Sequence, residues 1–168
     1  MQQPEPWLRG PVPNIIPTLQ PVAHMLMAAK EEIAHVTDGL SEDQLWAMPG
    51  GAASVGFHIL HLAGATDRLV AYAFGEELTE AQRDELRAER DLAEPKPVLS
   101  RLVANLTTKI DSVLMRLTSV AEANLATPRT LGRAQLPTTM YGLLAHCGDH
   151  SQRHTGQIVT TVKFLRGQ

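Results

Sequence analysis

Three histidines stand at four-residue intervals in the second half of the chain: His146, His150 and His154. On an α-helix, residues four apart lie on nearly the same face, about one turn from each other. Two imidazoles in that relation can direct their lone pairs at a single ion. A third donor would complete a metal site, and the segment His58-Ile59-Leu60-His61 supplies two candidates. The spacing therefore predicts a metal site shared by two helices.

The spacing leaves two positions open. His58 and His61 are three residues apart and lie on overlapping faces of one predicted helix, so either could be the third ligand. His146, one turn before His150, is interpreted as a ligand, a hydrogen-bonding partner of a ligand or a surface residue. His58 and His146 are also the candidate catalytic residues, because imidazole is the commonest general base.

The chain has one cysteine, Cys147, one turn from His150. The interpretation as a small buried hydrophobic residue is favoured over a ligand or a nucleophile. A single cysteine cannot form an internal disulfide, which fits a reducing cytosol.

Composition narrows the class of protein. The chain has 168 residues, 43% hydrophobic and 20% charged, with a formal net charge of −3, which is typical of one globular domain. No block of Lys or Arg is present, so we expect neither a nucleic-acid nor a membrane partner. Residues 1–17 contain five prolines and no cationic region, and are interpreted as an extended arm rather than a secretory signal or spanning helix. Residues 18–168 then form the domain, and a cytoplasmic location is expected.

Apolar residues recur at three- and four-residue spacing in four long stretches, separated by proline and glycine. The predicted long helices cover residues 18–37, 54–74, 98–120 and 138–165. Ser41 and Gln44 predict a capping box at a short helical turn. A charged segment, 79–91, is interpreted as a short solvated helix or a connector, and 127–137 as an irregular loop. This pattern predicts an all-α four-helix bundle with a short extra helix between long helices two and three.

The segment from Ser54 to Leu62 resembles the start of the second helix in DinB/YfiT-like proteins, and the segment from His146 to Gln157 is similar to their fourth-helix pattern, His-x-x-x-His-x-x-x-His-x-Gly-Gln. The resemblance implies that His61, His150 and His154 are the metal ligands. The chain departs from the pattern in its proline-rich arm, in the second histidine His58, in the lack of a Trp before the Ser/Val-Gly, and in Arg153 where another His is common.

Three imidazoles leave room at an ion for water or substrate, as catalytic sites do. Zinc, nickel, manganese and iron are all candidate ions. The resemblance implies a metal that activates a low-molecular-weight thiol, such as bacillithiol, mycothiol or glutathione. Other members of the family catalyse hydrolysis reactions. We therefore expect a metal-dependent enzyme, of thiol-transferase or hydrolase type, acting on a small-molecule substrate. Glu31 and Glu32 are further candidate bases.

Two alternatives remain at this stage. One is a non-catalytic metal-binding or stress-response protein on the same bundle, whose ion would be closed off by a fourth protein group such as His58. The other is a bundle that carries the histidines without binding a metal. A homodimer is expected in each case, since the resemblance implies association through bundle faces.

Overall fold

The computed structural model describes residues 3–89 and 91–167. The outer ends of the predicted arm and domain, Met1, Gln2 and Gln168, lie outside the described residues, as does Arg90. The six α-helices in the described ranges are α1 (Gln20–Thr37), α2 (Glu42–Trp46), α3 (Val55–Ala73), α4 (Glu80–Ala88), α5 (Leu99–Leu117) and α6 (Met140–Leu165). The two strands are β1 (Pro128–Leu131) and β2 (Leu136–Thr139).

The four long helices pack around one apolar core. α1 packs against α5 and α6, and α3 packs against the same two helices from the other side. The largest fully buried side chains come from the apolar stripes of these helices and their neighbours, among them Leu26, Ile33, Ile59, Leu62, Leu106, Ile110, Leu144 and Ile158. The predicted all-α class is confirmed, and the burial of these stripes is the main source of stability.

The two helices that carry the histidines begin at side-chain caps. The Ser54 hydroxyl accepts the Phe57 N–H at 3.1 Å, and the Thr139 hydroxyl accepts the Gly142 N–H at 3.0 Å. Each cap satisfies one backbone donor that the first helical turn leaves without a partner. α3 ends before Gly75, whose φ of 75° is left-handed and cannot continue a right-handed helix.

The short helices begin with reciprocal capping boxes. The predicted box of Ser41 and Gln44 is confirmed at the start of α2, and Thr79 with Gln82 forms a second box at the start of α4. None of the nine residues of α4 is buried, as the charged sequence predicts for a solvated helix. α4 is therefore held to the bundle by polar contacts, among them the hydrogen bond that Gln82 Nε2 donates to the Asp67 carboxylate on α3 at 2.8 Å.

The prediction of an irregular loop over 127–137 is wrong. β1 and β2 pair antiparallel, with Leu131 opposite Leu136 across a turn in which Gly132 and Gln135 have positive φ. The segment has little intrinsic strand preference, but a tertiary contact fixes it, because the Arg129 Nε–H donates to the Ala73 carbonyl at the end of α3 at 2.7 Å.

The proline-rich segment lies along α1. The Arg9 guanidinium forms two hydrogen bonds with the Glu31 carboxylate, at 2.7 and 2.6 Å, and the Gln20 side chain bonds both backbone groups of Val12. Glu31 therefore pairs with Arg9 of the proline-rich segment, and Glu32 is exposed. Neither of these two candidate bases lies with the histidines. The division at residue 17, the cytoplasmic location and the homodimer stay predictions. Within the described residues, no helix combines the length and apolarity that crossing a bilayer requires.

We predict that Leu106→Ala lowers the free energy of unfolding by about 2–5 kcal/mol, because it leaves a cavity in the core. Leu106 is 1% exposed on α5, whereas Met115 on the same helix is 73% exposed. Met115→Ala is therefore the matched control and should change stability by less than about 0.5 kcal/mol. Urea denaturation followed by circular dichroism measures both. Equal small effects would contradict the packing of α5.

Candidate metal centre

Three histidines from two helices converge in the bundle. His61 comes from α3, while His150 and His154 come from successive turns of α6, and one ring nitrogen of each lies within 4.8 Å of the others. The ring centroids are 4.4 Å apart for His150 and His154, and 5.2 and 4.9 Å from His61 to each of them. The structure thus brings together the three residues that the resemblance implies as ligands.

The packing direction of the helices produces this convergence. His58 faces His154, and His61 faces His150, so residue numbers rise along α3 as they fall along α6. The two helices therefore run antiparallel, and the four-residue spacing on α6 meets the three-residue spacing on α3. Phe57 stacks on the His61 ring at an interplanar angle of 3°, which braces that ring from the other side.

The donor atoms fit a transition-metal ion. The Nε2 atoms of His150 and His154 are 3.2 Å apart, and two nitrogens bound at 2.0–2.1 Å to a tetrahedral ion would be roughly 3.3 Å apart. Nδ1 of His61 is engaged with a carboxylate, which leaves its Nε2 available. Within the described ranges, no fourth His, Cys, Asp or Glu joins this group. An all-imidazole set suits zinc, iron or nickel better than manganese, which prefers carboxylates.

The same burial that brings the imidazoles together keeps them neutral. Desolvation, followed by repulsion from neighbouring histidines, lowers the pKa of His150 to about 4 and that of His154 to about 3. Both rings are therefore uncharged at neutral pH, and each has a nitrogen lone pair to offer. A metal ligand must be in this form.

His58 contacts a ligand candidate without joining the group itself. It is 7% exposed, its Nδ1 lies 3.0 Å from Nδ1 of His154, and burial lowers its pKa. If Nε2 of His154 faces an ion, its Nδ1 carries the proton and donates to His58. The geometry therefore distinguishes the two histidines of α3, with His61 among the donor atoms and His58 behind them.

A buried carboxylate that the sequence interpretation missed holds His61. Glu89, immediately after α4, has a side chain only 5% exposed, and its Oε2 lies 2.8 Å from Nδ1 of His61. Its other oxygen, Oε1, lies 2.7 Å from Nη1 of Arg68, which is itself 8% exposed. Accepting the His61 Nδ1–H fixes the tautomer that leaves Nε2 unprotonated, which is the usual function of a carboxylate behind a ligating histidine.

A glycine makes room for this ion pair. A Cβ at Gly64 would lie 2.5 Å from the Glu89 carboxylate and 2.6 Å from the Arg68 guanidinium. The sequence holds one signal for the pair, since Arg68 lies seven residues after His61 on the same face of α3. A cation on that face requires a buried acid, but nothing in the charged segment 79–91 marks Glu89 among the other carboxylates.

The remaining candidates lie outside the cluster. His146 is 44% exposed, and its Nδ1 lies 3.6 Å from the Asp149 carboxylate, so it is a surface residue one turn from the site. His24 and His35 are on α1 and do not join the group. Cys147 is buried, and burial raises the pKa of its thiol to about 12, which leaves it protonated and inert as the hydrophobic interpretation expects.

The lowered pKa values make a prediction about the metal-free protein. Between the unfolded pKa of about 6.5 and the folded values, the unfolded chain binds protons that folded His150 and His154 do not. Stability therefore falls as pH falls through that window. From pH 7 to pH 5 the chelator-treated protein should lose about 1–2 kcal/mol more than a His150→Gln/His154→Gln variant, allowing for solvent around the rings. Urea denaturation at both pH values measures it, and parallel losses would contradict neutral burial of these rings.

Two solved structures have a fold similar to that of this chain. Among solved structures, a conserved protein of Enterococcus faecalis is 18% identical, with a TM-score of 0.72 over 89% of this chain and 98% of that chain. A protein of Streptococcus pneumoniae is 13% identical, with a TM-score of 0.61 over 89% of this chain and 90% of that chain. At these identities the likeness is one of fold. A comparison with curated proteins finds no match.

A family model, described as the DinB superfamily, matches residues 25–158. The matched range covers all four long helices in whole or in large part, and it includes every histidine of the cluster. The chain therefore belongs to the DinB superfamily.

Proposed function

We propose that this protein binds one divalent transition-metal ion through His61, His150 and His154, and that it is an enzyme that activates a low-molecular-weight thiol or water for reaction with a small-molecule substrate. One observation carries the proposal. Three imidazoles converge, burial keeps those of His150 and His154 neutral, and no fourth protein ligand joins them among the described residues. An ion held this way would keep a position for an exchangeable ligand, unlike a closed structural site.

The surroundings of the donor atoms support an accessible site. The His61 side chain is 26% exposed, so the cluster reaches solvent on the α3 side. A groove lies against His58, whose ring contacts His154. When bound, a transition-metal ion lowers the pKa of a thiol or water and so supplies a nucleophile near neutral pH.

Two hydrogen bonds within the chain fix which ring nitrogen carries the proton in two of the ligand candidates. Glu89 Oε2 accepts the proton on Nδ1 of His61, and His58 Nδ1 accepts the proton on Nδ1 of His154. Both hydrogen bonds direct the opposite Nε2 atoms into the cluster. In this arrangement His58 carries its own proton on Nε2 and acts as a hydrogen-bond donor, which leaves His146, with its weak contact to Asp149, as the candidate general base.

We predict that protein purified without a metal-affinity tag contains about one equivalent of zinc, iron or nickel, and that His150→Ala/His154→Ala removes it. His24→Ala/His35→Ala is the matched control, because those two histidines lie on α1 outside the cluster. Elemental analysis of the three proteins measures metal content. A wild type that carries no metal and takes up none from added zinc, iron or nickel would overturn the proposal.

Activity is tested with the metal-loaded protein, a low-molecular-weight thiol and a generic electrophile such as 1-chloro-2,4-dinitrobenzene. Metal-dependent thiol consumption that the double variant lacks supports the enzyme. If thiol consumption is absent, hydrolysis of activated esters tests the water branch in the same way. A loaded protein that does neither favours the alternative, a non-catalytic metal-binding or stress-response protein.

We predict that Glu89→Gln weakens metal affinity by about 10–100-fold, because the amide cannot match a carboxylate in holding the His61 Nδ1 proton. Glu80→Gln, at the start of the short helix that Glu89 follows, is the control, since Glu80 is exposed and does not join the cluster. Competition with a chromophoric zinc chelator measures both affinities. Equal affinities in the two variants would show that Glu89 does not orient His61.

A further inference from the structure

A groove of about 700 Å³ runs along α6 beside the histidine cluster. His58 forms part of one wall, next to Ala52 and Ala53 from the segment that precedes α3. The α6 side includes Arg153, Gly156 and a row of polar side chains. The groove therefore borders the cluster at His58, whose Nδ1 lies 3.0 Å from Nδ1 of His154, and His58 separates the groove from the donor atoms.

Gly156 leaves the floor of this groove open. Glycine inside a helix lowers its stability relative to alanine, so it needs a reason. Gly64 and Gly148 have one, since a Cβ there would lie 2.5 Å from a neighbouring side chain. At Gly156 a Cβ would meet nothing within 4 Å, and its φ is not positive. Neither packing nor backbone conformation requires this glycine, and a side chain at this position would enter the groove.

The groove has the charge and the donors for an anion. Arg153 is the one charged residue in its lining, and Asp149, which pairs with Arg153 at 2.9 Å, is not part of that lining. An exposed pair of this kind is weak, and a guanidinium has five donors, so it can hold a second carboxylate. Gln157 and Thr160 also line the groove, and neither side chain makes a hydrogen bond to another described residue.

We infer that this groove binds a small organic carboxylate, with the carboxylate on Arg153, Gln157 and Thr160 and the body of the molecule over Gly156 towards His58. The planar fork of the guanidinium matches a carboxylate in two-point contact. The inference goes beyond the proposed function, because the contacts in the groove involve neither the ion nor a thiol.

The first test titrates metal-free protein with N-acetylalanine and with its amide, which differ only in the carboxylate. Saturable shifts of the Gly156 and Gln157 amide signals, with the acid binding at least tenfold more tightly than the amide, are expected. Arg153→Gln should abolish that difference, while Arg133→Gln, an exposed arginine on the β1–β2 turn, should preserve it. Equal binding of acid and amide to the wild type would overturn the inference.

The second test fills the groove. Gly156→Leu should fold with an unchanged or raised Tm, because its Cβ has open space, yet bind N-acetylalanine at least tenfold more weakly. Wild-type affinity in that variant would overturn the inference. So would inorganic phosphate that displaces N-acetylalanine at equal concentration, since it would indicate an unselective oxyanion contact.

A third arm separates this inference from the proposed function. N-acetylalanine should bind the metal-loaded and the metal-free protein with equal affinity, because His58 separates the groove from the donor atoms. If the protein takes up no metal, the proposed function fails while carboxylate binding to the metal-free groove persists. If metal binds and the carboxylate does not, the groove inference alone fails.

Discussion

The antiparallel contact between α3 and α6 is the interaction on which the rest of the structure depends. It places His58 and His61 against His150 and His154 in the interior of a bundle whose other inward positions are mostly apolar. Imidazole is tolerated there only when it is neutral and its ring nitrogens have partners. Glu89 and His58 supply such partners for Nδ1 of His61 and Nδ1 of His154, which leaves the Nε2 lone pairs of those two rings facing the cluster. Nδ1 of His150 is buried without a hydrogen-bond partner among the described residues. A buried polar seam and a metal site are thus two descriptions of the same packing.

A buried ion pair, Glu89 with Arg68, connects the histidine cluster to the segment that follows α4. Glu89 and Arg68 are both more than nine-tenths buried, and a buried ion pair is retained only where geometry and further hydrogen bonds compensate for lost hydration. Here the compensation includes His61, and Gly64 provides the space. The residue that follows the solvated helix α4 therefore helps to position it, together with the contact of Gln82 with Asp67. The orientation of a candidate ligand therefore depends on a segment that contributes nothing to the apolar core.

The α6 helix meets opposite demands on its two sides. Its inward side carries His154 and fully buried side chains such as Leu144 and Ile158, while two residues beyond His154, on the exposed side, it carries Gly156, which packs against nothing. Stability alone would favour a side chain at that position. Proteins give up local stability where a site needs space, and this glycine fits that pattern beside His58.

The sequence by itself determined the all-α class, the positions of the four long helices to within a few residues and the two histidine pairs, because helical periodicity and capping are local properties. The β1–β2 hairpin could not be predicted from the sequence, since Arg129 in it contacts the end of α3, which is distant in the chain. Spacing alone could not decide which of His58 and His61 lies among the donor atoms, because residues three apart share a face of the helix. The packing of α3 against α6 fixes the rotation of α3 and so decides it. The role of Glu89 was likewise determined only by the tertiary structure. It is one carboxylate among many in a charged segment, and folding brings it to Arg68 and His61.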